Sequence, residues 1–107
     1  MMFTIINDEK LIIDQFNYLN EDILFKEWNI LFEYDKRLSA AIIYIDDKIT
    51  GYIEYHALQK QFWLYNVHYD FVNFIDFYLE EKRYTFYNFI IKCLERIKYN
   101  EGFYAAE

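Results

Sequence analysis

The chain contains no proline and only two glycines, Gly51 and Gly102. Glycine is the default residue for left-handed backbone and for close approach of the main chain to a ligand. Tight loops that cradle phosphate, or that need a positive φ, therefore have almost no material here. The organisation has to be read from hydrophobic periodicity and from the remaining turn formers.

Phe3-Thr4-Ile5-Ile6 reads as a short opening strand. Asn7 follows as a helix cap, with Asp8 and Glu9 suited to a helix N-terminus. Ile12, Phe16 and Leu19 recur at helical spacing. Asn20 caps again, and Leu24, Trp28 and Leu31 continue a buried stripe. This spacing predicts helices over about 8–19 and 21–34. Ala41-Ile42-Ile43-Tyr44-Ile45 and Ile49-Thr50-Gly51-Tyr52-Ile53-Glu54-Tyr55 flank a turn at Asp46-Asp47-Lys48. They predict a hairpin with Ile49, Gly51, Ile53 and Tyr55 on one face. Gln61 to His68 supports a third strand, joined through a loop near Leu58-Gln59-Lys60. Residues 69–82 fit either period, and aromatic enrichment favours a strand. The last element is the clearest. Phe86, Phe89, Ile90, Cys93, Leu94 and Ile97 form one apolar helix face, started by Thr85 and stopped by Gly102. The tail Phe103-Tyr104-Ala105-Ala106 is expected to add a short strand. The reading is one α+β domain over residues 1–107. A small antiparallel sheet of three to five strands is packed by two N-terminal helices and one long C-terminal helix.

Charge is unevenly spread along the chain, whose formal net charge is −7. Residues 1–35 are strongly acidic, and residues 61–81 carry Asp70, Asp76, Glu80 and Glu81 with no base. Lys82, Arg83, Lys92, Arg96 and Lys98 make the C-terminal stretch basic. Direct nucleic-acid binding needs clustered lysine and arginine, and the acidic blocks would repel a phosphate backbone. They would attract a basic protein surface instead. Aromatic residues make up 23% of the chain, too many for a core this small to hide, so several are expected to stand part-exposed. An AT-rich coding sequence and ordinary solvation of helix faces are the plainer accounts of the two biases.

No catalytic, cofactor or metal set emerges. His56 and His68 stand twelve residues apart with Cys93 remote, which matches no zinc spacing. Cys93 lies on an apolar helix face, where a thiol is packing. Ser39, the only serine, has no nucleophile elbow around it. A lone cysteine excludes an internal disulfide framework, the N-terminus lacks the features of a signal peptide, and no apolar run is long enough to span a membrane. A cytoplasmic location is the expectation.

The predicted order of strand, two helices, three strands and a long helix is similar to the front half of the GNAT acyltransferases. Ile45 to Ile53 resembles that family's second hairpin, and residues 88–103 resemble the helix after its coenzyme-A pyrophosphate loop. The likeness covers roughly residues 40–103 and implies coenzyme-A-dependent acyl transfer. Arg83 fits the family's loop pattern, but Phe86 and Asn88 stand where its glycines should be.

The leading expectation is a non-enzymatic inhibitor that occupies a basic nucleic-acid-binding surface of a larger protein. Phage anti-defence proteins, including anti-CRISPR proteins, commonly have this character, and CRISPR effectors offer such channels. The expected partner-binding carboxylates are Asp46 and Asp47 at the hairpin tip, with Asp70, Asp76, Glu80 and Glu81. A homodimer, formed through an exposed sheet edge, is the third expectation.

Overall fold

A computed structural model describes residues 2–76 and 83–106, with side chains described over 9–76 and 86–99. Helix α1 (Met2–Glu21) and the short α2 (Ile23–Glu27) lead into β1 (Ile30–Asp35), β2 (Ala40–Ile45), β3 (Lys48–His56), β4 (Gln61–Asn66) and β5 (Phe71–Asp76); α3 (Arg83–Ala106) follows. The five strands form one antiparallel meander in chain order. The α+β architecture is the expected one, with the helices and the sheet placed as predicted in outline.

One face of the sheet is buried. Phe32, Ile43, Ile53, Phe62 and Leu64 meet Ile12, Phe16 and Leu19 of α1 and Phe86, Ile90, Cys93, Leu94 and Ile97 of α3 in a single cluster. The stripes predicted for these two helices are therefore the ones that dock. Burial pushes the Cys93 thiol up to about 11, so it stays protonated at neutral pH and serves as packing.

Several expectations at the ends of elements are corrected. Phe3–Ile6 belongs to α1 and not to a strand. A run of four residues is too short to specify a strand alone, and an adjacent helix propagates through it cheaply. The second helix stops at Glu27, and 30–35 is strand. Asn29 adopts φ 56°, which ends a helix, and beyond it Ile30 and Phe32 alternate with exposed neighbours at period two. Trp28 and Leu31, expected inside, are 46% and 49% exposed, while Phe25 is buried. At the far end α3 begins at Arg83 and runs through Gly102 to Ala106, so Thr85 does not start it, Gly102 does not stop it and the tail adds no strand. Within 69–82, Phe71–Asp76 is strand, as expected, and residues 77–82 lie outside the described residues.

Turns without glycine are built by other residues. Asn29, Ser39, Asp46, Asp47, Lys60 and Tyr69 all take positive φ. Asp46 (52°) and Asp47 (66°) are consecutive, the pattern of a two-residue type I′ hairpin loop, whose twist matches the strands on either side. Asp and Asn tolerate this region best among residues with a side chain.

Gly51 is kept for space and not for φ. A Cβ added there would stand 2.5 Å from the Tyr65 carbonyl oxygen, a backbone atom of the neighbouring strand. Gly51→Ala is expected to cost about 1–3 kcal/mol, because two central strands must part to admit one methyl. Urea unfolding measures this directly, and an unchanged midpoint would show that β3 and β4 do not approach as described.

An uncovered aromatic sheet face

The helices α1 and α3 both pack on the core side, so the alternate strand positions form a second face with no helix over it among the described residues. Register places Leu31, Glu33 and Asp35 of β1 beside Tyr44, Ile42 and Ala40 of β2. Tyr52, Glu54 and His56 of β3 stand beside Tyr65, Trp63 and Gln61 of β4. Trp63 is followed by Phe74 and Tyr65 by Phe71 on β5. A bulge between Ile43 and Tyr44 puts Ile49 opposite Tyr44, so Ile49 leaves the face it was expected to share with Gly51 and Ile53 and is exposed.

The rings on this face are organised against one another. Tyr69, held at φ 64°, lies flat on Tyr52 with centroids 4.4 Å apart and planes 4° apart. His56 stacks on Trp63 at 3.9 Å. Phe71 meets Trp63 and Tyr65 edge-on, at 5.4 and 6.1 Å. Tyr69, Phe71 and Phe74 nevertheless remain 60%, 51% and 47% exposed. A left-handed backbone at a bulky residue is costly and persists where its surroundings enforce it. Here the turn enforces it: the Asn66 side-chain oxygen accepts from the backbone N–H of His68 and Asp70.

Polar groups lie between the rings. The Tyr65 hydroxyl donates to Glu54 Oε1 at 3.1 Å, and His56 Nε2 lies 2.8 Å from the same oxygen. Desolvation, reinforced by the hydrogen bond to Glu54, pushes the Tyr65 phenol up to about 12, so it remains a donor at any physiological pH. Trp63 Nε1 donates to Gln61, whose amide donates to Asp76, each at 3.0 Å. At the rim Arg37 donates to both oxygens of Asp35, at 3.4 and 3.3 Å. The strand positions of this face carry Glu33, Asp35, Glu54 and Asp76 and no lysine or arginine. Lys92, Arg96 and Lys98 are on α3, across the sheet, where Arg96 reaches the Val72 carbonyl at 3.4 Å.

The carboxylates singled out from the sequence do not converge. Asp46 and Asp47 form the β2–β3 turn, where Asp46 accepts from Asn29 Nδ2 at 3.2 Å. Asp70 sits in the β4–β5 turn at the same end of the sheet, and Asp76 closes β5 at the opposite end, about 18 Å away by strand rise. Glu80 and Glu81 lie outside the described residues. Glu54, Tyr65, Trp63 and Tyr52, which sequence reasoning passed over, and His56, weighed there only for metal binding, are the residues the fold gathers.

Among the described residues no group of three or more His, Cys, Asp or Glu side chains could hold a metal ion. Nor, among them, is any helix long and apolar enough to cross a membrane. The chain matches no protein-family model, no curated protein and no solved structure.

Proposed function

We propose that the chain is a small, non-enzymatic, cytoplasmic binding protein that lays its open sheet face on a basic nucleic-acid-binding surface of a larger protein and so inhibits it. The observation that carries this reading is one face holding exposed rings and carboxylates with no lysine or arginine among its strand positions. Exposed rings alone would suit a nucleobase, since aromatic platforms stack bases without regard to sequence. The charge speaks against it, because phosphates would meet Glu33 and Glu54 on strands that offer this face no lysine or arginine. An arginine-rich surface satisfies both features: guanidinium groups stack on aromatic rings and pair with carboxylates. CRISPR effectors, which hold a heteroduplex in a positive channel, offer a partner of this chemistry.

Anisotropy of a labelled oligoarginine peptide, titrated with the protein at low and high salt, tests the reading. Saturable binding that weakens with salt is expected, with a single-stranded oligonucleotide remaining free. Trp63→Ala should weaken peptide binding by about ten- to thirtyfold, the range of a central aromatic anchor. Tighter binding of the oligonucleotide, or a Trp63→Ala protein that binds the peptide unchanged, would overturn it.

A further inference from the structure

We infer that the centre of this face is a seat for one arginine side chain, formed by Glu54, Tyr65 and Trp63. The inference rests on the preceding reading and names the residue type that the site selects.

Glu54 occupies the middle strand, between Ala40 on β2 and Trp63 on β4. Ala40 contributes only a methyl group, which leaves one flank of the carboxylate low, while Trp63, with His56 stacked on its ring, is the neighbour on the other. The two internal donors, His56 and Tyr65, both use Oε1. Among the described residues nothing bonds to Oε2, and the Glu54 side chain keeps 41% of its surface open. The Tyr65 hydroxyl spends its proton on Glu54, and its oxygen also lies 3.2 Å from His56 Nε2, which leaves one lone pair able to accept. Glu54 Oε2 and the remaining lone pair of Tyr65 Oη are therefore two acceptors left on the ring-bearing face.

A planar guanidinium fits this arrangement. It can donate to two acceptors through its fork while lying against a ring, and it is weakly hydrated. A lysine ammonium is a compact, strongly hydrated point charge that gains little from a ring beside a part-exposed carboxylate. The chain itself holds a guanidinium in this bidentate way at the rim, where Arg37 embraces Asp35. That pair occupies Asp35 and leaves Glu54 as the central carboxylate able to take a partner's arginine.

Oligoarginine and oligolysine peptides of equal length, titrated against the wild type, Glu54→Gln and Tyr65→Phe, provide the test. The wild type should prefer arginine by about tenfold, the margin a charge-assisted bidentate pair supplies over a point contact. Glu54→Gln, which keeps the shape and removes the charge, should abolish that preference, and Tyr65→Phe should reduce it. Circular dichroism checks that both variants keep the sheet. Equal affinity of the wild type for both peptides, or a preference that survives Glu54→Gln, overturns the seat while leaving the face a general basic-surface binder. Absence of binding by either peptide overturns the reading of the face, and the seat with it.

Discussion

Replacing Phe16 by alanine is expected to remove about 3–5 kcal/mol of stability, a large share of the roughly 5–15 kcal/mol typical of a single domain. Phe16 is buried where α1, the sheet and α3 meet. Its ring lies 5.9 Å from Phe32 and 6.2 Å from Tyr34, both near parallel, and 6.1 Å from Phe62 and 6.0 Å from Phe86, both edge-on. Truncation to a methyl group removes all four ring contacts at once. The walls of the resulting cavity belong to three different elements, so no single side chain can swing in to fill it. Phe16→Leu keeps most of the volume and should cost about 1–2 kcal/mol. Chemical denaturation of the two variants beside the wild type decides the matter. A loss below about 1 kcal/mol for Phe16→Ala would show that α1 does not dock on the sheet through this ring.

The helix that supplies Phe16 was legible because its signal is local. Ile12, Phe16 and Leu19 repeat at the helical period, as do Phe86, Ile90, Cys93, Leu94 and Ile97 in α3, and these are the buried residues. The β2–β3 hairpin was legible for the same reason, since its turn and both flanking runs fall within a few residues of each other. β1 was not. Leu24, Trp28 and Leu31 mimic a helical stripe, and only the left-handed Asn29 breaks it, a conformation no residue type announces with certainty. The candidate site was half legible. Assigning Gly51, Ile53 and Tyr55 to one face leaves Tyr52, Glu54 and His56 on the other by alternation. Whether a second layer covers that other face depends on where both long helices settle, which is a tertiary outcome with no local code. Acid density along the chain pointed elsewhere, to Asp46 and Asp70. Those side chains cluster in sequence because turns recruit aspartate, whereas Glu54 and Glu33 reach one face from strands far apart in the chain.

Asn20 governs what happens at the free edge of β1. Its amide donates to the Phe32 carbonyl and its side-chain oxygen accepts from the Phe32 N–H, both at 2.8 Å. In the sequence this residue reads as a helix cap, but Asp22 takes that role, accepting from the N–H groups of Leu24 and Phe25. Asn20 instead imitates a sixth strand at one point of the edge, satisfying two backbone groups that point away from β2. Asn20→Leu, similar in volume, strands both groups beside an apolar side chain. The expected cost is about 2–4 kcal/mol, from roughly 1–3 kcal/mol for each unsatisfied buried group reduced by partial access of water. A strand edge stripped of its blocking partner is also a template for pairing with another chain. Sedimentation velocity of the variant should show association that grows with concentration, while the wild type sediments as before at matched concentrations. If Asn20→Leu is as stable as the wild type and no more prone to self-associate, the Phe32 groups are met by solvent, and the edge of β1 is guarded by something other than this amide.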